Sequence, residues 1–171
     1  MSLMDQCSTL CATYRSNGSV PVDVVTSSVE DVLDIADDHF DHLLDFPSFD
    51  APTNSYIPRH LVNCTFLAVA FARSARLKRE HAVRLGLAGF VHDLGMVLLP
   101  DSLLQEGGTL AFSDLALIRQ HPYLAYESLI QNEFPRPVAL SALRHQVLLD
   151  KSGYPVAESP DKLIFYDRAT A

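Results

Sequence analysis

Apolar positions recur at spacings of three and four along most of the chain, the period of helices that bury one face. Val29, Val32, Leu33, Ile35, Ala36, Phe40, Leu43 and Leu44 form one such series. With Ser27 and Glu30 ahead of it in a capping-box arrangement, the series predicts an amphipathic helix over 27–46. Its polar face carries Asp34, Asp37, Asp38, His39, Asp41 and His42, and a face this acidic is a solvated surface before it is a metal site. Phe46 to Pro58 is rich in Pro, Ser, Asn and Asp and predicts a loop. That loop divides the chain into an N-terminal helical appendage, residues 1–50, and a main domain, residues 51–171.

In the main domain the pattern predicts helices from Pro58 to near Leu77, from Arg79 to a stop at Gly95, and from an N-cap at Ser113 to His121-Pro122. Further helices are expected over 122–132, over 137–149 and from Asp161 to the end. No segment alternates with period two, so the fold class is all-α, a helical bundle of six to seven helices.

With 171 residues, 48% of them hydrophobic, the chain can bury one sizeable core without disulfide staples. Acidic residues outnumber basic ones by 21 to 13, for a net charge of −8, which argues against a nucleic-acid polymer as partner. The apolar run LVNCTFLAVAFA contains Asn63 and Thr65 and stops at Arg73, too short for a membrane span. The N-terminus shows no cationic segment leading into an apolar one, and Met1-Ser2-Leu3 ahead of Met4 looks like a cloning remnant outside the fold. Three cysteines make no disulfide framework and suit a reducing, cytoplasmic setting; Cys7 and Cys11 are expected to share one helix face as small semi-buried residues.

One stretch breaks the apolar pattern. In LAGFVHDLGMVLLP, Leu87 to Pro100, His92 and Asp93 stand side by side inside what should be core. Burying such a pair costs several kcal/mol unless it is charge-compensated, hydrogen-bonded or bound to a metal; the other reading is a helix end exposed to water. His60, His92, His121 and His145 fall one per predicted helix or helix end, 32, 29 and 24 residues apart, as ligands donated one per element of a bundle do. Imidazole with carboxylate is the ligand mix of Mn, Fe, Ni or Zn.

The order of these motifs resembles the HD-GYP family, a branch of the HD superfamily of metal-dependent phosphohydrolases. The resemblance runs from His60 through HDLG (92–95), the LLP before LLQEGGTLAFSD, the HP of His121-Pro122 and HQVLLDKSGYP (145–155) to LIFYDRATA (163–171). It implies an HD-type bundle with a two-metal site in its core, Fe or Mn first and Zn or Ni as alternatives. His60, His92, Asp93 and Asp167 would hold one metal, and Asp93 would bridge to a second held by His121 and His145. His92 and Asp93 would be the catalytic pair. The implied reaction is hydrolysis of the bacterial second messenger cyclic di-GMP by a metal-bridging hydroxide, with Gly153, Tyr154 and Pro155 forming the loop beside the nucleotide.

Three positions depart from the family pattern. Met96 stands where a phosphate-directed lysine is usual, and Gln146 replaces the second histidine of a pair, leaving at most a weak oxygen ligand. Tyr56 replaces a glutamate four residues before the first histidine, which argues against a third metal. Family members also continue for several turns past the final aspartate, so the chain is expected to be truncated, with an exposed face able to recruit a protein partner or a second copy. These departures leave an alternative to an enzyme, a regulatory module that binds cyclic di-GMP or a protein without turnover.

Overall fold

The structure is a computed structural model and describes residues 2–38, 56–104, 110–148, 150 and 152–155. Helix α1, Leu3–Asn17, starts at Ser2, whose hydroxyl accepts the Asp5 N–H while the Asp5 carboxylate accepts the Ser2 N–H. Ser2 and Leu3 thus belong to the fold and do not lie outside it as expected. The helix escaped the hydrophobic pattern because its inward face is Cys7, Leu10, Cys11 and Tyr14, with only one branched aliphatic among them. Both cysteines are buried on that face, as their spacing predicted.

Helix α2, Val22–Asp38, begins five residues before the expected start, so Ser27 is an exposed mid-helix residue and caps nothing. His39 and His42 lie outside the described residues, as do the loop around residue 50 and the helix expected from Asp161. Helices α1 and α2 share one buried cluster with the helices that follow. Ser28 donates to Gln6 Oε1 at 2.7 Å, joining α2 to α1, and the Asn132 side chain takes the Val20 N–H at 2.9 Å while donating to the Gly18 carbonyl at 3.1 Å.

Helices α3, Tyr56–Ser74, and α4, Arg79–Val91, form a tightly packed hairpin close to the expected bounds. The C-terminal half of α4 is buried on every side from Leu85 to Val91, so the residues that follow it emerge inside the core. The chain then tightens into a 3₁₀ turn, Leu94–Leu98, and a second over Asp101–Leu103. Gly95 therefore does not end a helix as expected. It sits in the 3₁₀ turn, and a Cβ there would collide with the His121 carbonyl oxygen and crowd the Ala125 nitrogen.

Helix α5, Phe112–Ile118, begins one residue before the predicted N-cap, with Asp114 accepting the Ala111 N–H, so Ser113 lies within it. Helix α6, His121–Gln131, matches its predicted span. Helix α7, Arg136–Arg144, stops five residues short of the expected end, because the chain turns at His145 and pairs Val147 with Gly153 in an isolated antiparallel bridge. The described residues are thus an all-α bundle, and none of their helices is long and apolar enough to cross a membrane.

Because the obstacle at Gly95 is backbone rather than a movable side chain, Gly95→Ala is expected to destabilise the protein by about 1–3 kcal/mol in urea unfolding and to displace His121. A variant as stable as the parent would show that α6 can yield there.

Candidate metal centre

Four imidazoles and one carboxylate converge where α3, α4, α6 and α7 meet. His60 comes from the second turn of α3, His92 and Asp93 follow the last residue of α4, His121 opens α6 and His145 follows α7. His92, His121 and His145 are buried, and Asp93 keeps 16% of its side-chain surface. Gly89, one turn before His92, lets α4 approach α3 so closely that a Cβ would press on the Cys64 carbonyl.

The carboxylate divides the histidines into two groups. Asp93 Oδ2 lies 3.1 Å from His60 Nε2 and 3.6 Å from His92 Nε2, whereas Oδ1 lies 3.1 Å from His121 Nε2 and 3.0 Å from His145 Nε2. Within each group the nitrogens are also close, 3.2 Å between His60 and His92 and 3.1 Å between His121 and His145.

Three of these rings are held from behind by the carbonyl three residues earlier. His92 Nδ1 donates to Gly89 O at 3.0 Å, His121 Nδ1 to Ile118 O at 2.7 Å and His145 Nδ1 to Ala142 O at 2.8 Å. A carbonyl can only accept, so the ring proton sits on Nδ1 and the Nε2 lone pair points at the centre. In keeping with this, Asp93 Oδ1 is buried without a hydrogen-bond donor. Lone pairs facing one another at 3.0–3.1 Å, as between His145 and Asp93 and between His121 and His145, repel unless a cation lies between them. A metal held at about 2.0–2.1 Å by two nitrogens sets them about 3.0–3.4 Å apart, so the donor set fits divalent ions. Both triads, His60 with Cys64 and His92, and Asp93 with His121 and His145, have the residue types and spacing of metal ligands.

The electrostatics carry the same signature. Burial pushes the Asp93 carboxyl up, and the hydrogen bond from the His60 ring draws it back down. The hydrogen bond to Asp93 raises His60 to about 10, so without metal a proton takes the cation's place. Burial drives His92 the other way, to about 4.

The structure thus brings together His60, His92, Asp93, His121 and His145, while Asp167 lies outside the described residues. The segment after α7 folds back beside them. Tyr154 N–H donates to Gln146 O at 3.1 Å and Leu148 N–H to Ser152 O at 3.0 Å, with Gly153 at φ +91 making a turn in which a side chain would strike the Gln146 carbonyl. The turn sets the Tyr154 ring perpendicular to His121, centroids 6.0 Å apart, with Pro155 after it. Met96 is half-buried against the core, and Tyr56 stacks on His60 with centroids 6.0 Å apart.

Two residues that sequence reasoning missed stand at the site. Cys64 is one helical turn from His60, so the His-x3-Cys spacing was the signal. Arg119 carries its guanidinium over the Tyr154 ring, 5.7 Å from the centroid; it had no signal beyond proximity to His121 in the chain.

Residues 32–166 match the HD domain family. Among curated relatives, the cyclic di-GMP phosphodiesterase response regulator RpfG of Xanthomonas campestris is 33% identical over 108 residues, 62% of this chain and 28% of the relative. A cyclic di-GMP phosphodiesterase of Pseudomonas aeruginosa is 28% identical over 120 residues, 70% of this chain and 29% of the relative. The cyclic di-GMP phosphodiesterase PdeB of Borreliella burgdorferi is 27% identical over 96 residues, 56% of this chain and 25% of the relative. The chain spans less than a third of the length of these relatives in each alignment.

The two shifted histidines give the metal-free protein a defined pH profile. His92 binds a proton near 6.5 when unfolded but near 4 when folded, so its contribution to stability is lost as pH falls through that window. His60 is raised, so its contribution is complete below 6.5 and is lost as pH rises toward about 10. Thermal unfolding in chelator is expected to show maximal stability near pH 6.5, and addition of a divalent metal at neutral pH is expected to release a proton from His60. A profile that keeps rising to pH 10 would contradict this assignment.

Proposed function

Since the chain belongs to the HD domain family, we propose that it is a metal-dependent phosphodiesterase that hydrolyses cyclic di-GMP. The observation that carries the reading is the Asp93 carboxylate, each of whose oxygens faces two histidine Nε2 atoms. His60 and His92 with Oδ2 would hold one divalent ion and His121 and His145 with Oδ1 a second, and nitrogen–oxygen sites of this kind suit Fe or Mn, with Zn and Ni as alternatives. Asp167, outside the described residues, is proposed as a further ligand of the first ion. When bound, such ions make hydroxide available near neutral pH and stabilise charge on the phosphoryl oxygens.

The chain's own residues supply position and charge. The Nδ1 anchors fix three rings so that no reorientation is needed when substrate arrives. Gly153, Tyr154 and Pro155 form a wall on which a guanine can stack, with the Tyr154 ring as its aromatic surface. Met96 brings no charge where a lysine would meet phosphate, and exposed Arg119 provides a cation on the Tyr154 side for a dianionic substrate.

Met96 also favours a second reading, a module that binds cyclic di-GMP without turning it over. Separating the products of cyclic di-GMP incubated with Mn- or Fe-loaded protein decides between them. The enzyme reading expects metal-dependent product that disappears in His92→Ala and Asp93→Asn, whereas bound nucleotide with no product would establish the binding module. For the enzyme, Arg119→Ala is expected to raise KM about tenfold with a smaller change in kcat, and Met96→Lys to raise turnover about tenfold, the scale of one charged hydrogen bond.

A further inference from the structure

Tyr56 flanks the metal centre on the side of the first histidine pair. It opens α3 one turn before His60, its ring is parallel to the His60 imidazole within 6° with centroids 6.0 Å apart, and 43% of the residue is exposed. A ring stacked on one face and this exposed presents its other face to solvent. Tyr154 stands in the matching place at the second pair, its ring 6.0 Å from that of His121. Between the two tyrosines lies Asp93, with Oδ2 3.1 Å from His60 Nε2 and Oδ1 3.1 Å from His121 Nε2. The tyrosines thus end a succession of rings, Tyr56, His60, His92, His145, His121 and Tyr154, in which neighbouring centroids are 5.0–6.0 Å apart.

We propose that Tyr56 is the platform for the second base of the cyclic dinucleotide, so that a phosphodiester lies over Asp93 while one guanine stacks on Tyr154 and the other on Tyr56. The proposal rests on the reading of this centre as a cyclic di-GMP site. That ligand carries two bases on opposite sides of a closed sugar–phosphate ring, and a site with one aromatic surface would leave one base in water. Stacking asks only for a π-face, which every base has. The two ends differ in charge, since the Arg119 guanidinium lies 5.7 Å from the Tyr154 centroid. A ligand with one base and one phosphate therefore takes the Tyr154 end.

Two ligands of the metal-loaded full chain separate this role from support of His60. Cyclic di-GMP is read as KM or, where no product forms, by equilibrium dialysis; the methyl ester of GMP, a phosphodiester with a single base, is read as its competitor. Tyr56→Ala is expected to weaken cyclic di-GMP about tenfold, the scale of one stacked base, while the single-base ester and the metal content by elemental analysis hold at wild-type values. Tyr56→Phe, which restores the ring, is expected to bind cyclic di-GMP as wild type does. Equal weakening of both ligands or loss of metal in Tyr56→Ala makes Tyr56 a support of His60 and overturns the proposal, as does unchanged affinity for cyclic di-GMP; each leaves the cyclic di-GMP site standing. Wild type that binds no cyclic di-GMP overturns both. A measurement on wild type alone stands if a variant fails to fold: cyclic di-GMP is expected to bind at least about tenfold more tightly than the single-base ester, and equal affinities overturn the second platform.

Discussion

Repulsion between lone pairs organises the centre of this molecule. Three imidazoles have their protons committed to backbone carbonyls behind them, and their remaining nitrogens face one another and a carboxylate in a buried space. Such an arrangement is costly without a cation, and it is maintained by the packing of every helix that contributes to it. The hydrophobic effect supplies that packing: α4 is enclosed along its C-terminal half, and the residues that leave it have nowhere to go but the core. The cluster is thus a polar defect placed by an apolar element, stable only when charge-compensated.

The elements around the defect constrain its geometry more than its composition. Two glycines mark the closest approaches, Gly89 where α4 meets α3 and Gly95 where the 3₁₀ turn meets the start of α6. The N-terminal helix braces the same turn from outside, since Arg15 Nε donates to the Val97 carbonyl at 2.7 Å and its guanidinium pairs with Asp101 at 2.6 Å. The exposed ion pair adds little energy, but the bond to a backbone carbonyl fixes where the chain leaves the HD turn. Helix α1 therefore shares in positioning the site, although its sequence carries only a weak amphipathic pattern.

What could be read in the sequence follows from which forces leave a periodic trace. Burial does, so α3, α4 and α6 were visible, and the interruption at His92-Asp93 drew notice because it broke an apolar run. The four histidines were legible as one donor per helix because helix length sets their spacing. Capping at Ser2 left only a local signature easily mistaken for a remnant, and the helix it starts buries two cysteines and a tyrosine rather than a stripe of leucines. The early end of α7 was hidden because the apolar residues Val147 and Leu148 continue the pattern into a turn. Gly95 misled for a related reason: a glycine after a helix looks like a stop, while its use here is a contact with α6 that lies 26 residues away in the chain.

Cys64 shows how a residue beside the site can be hidden inside an apolar pattern. Free cysteine is among the residues most often buried and packs like a small hydrophobe, so within LVNCTFLAVAFA it merges with its neighbours. Only the position of His60 one turn earlier separates it from the core residues of α3, and that relation matters only once α4 delivers His92 to the same face. The grouping of these three side chains is therefore set jointly by a local spacing on α3 and by a tertiary contact that Gly89 permits. A side chain at position 89 would push α4 away from the Cys64 carbonyl, separating His92 from His60 and Cys64 and removing the shared space without changing a single donor atom.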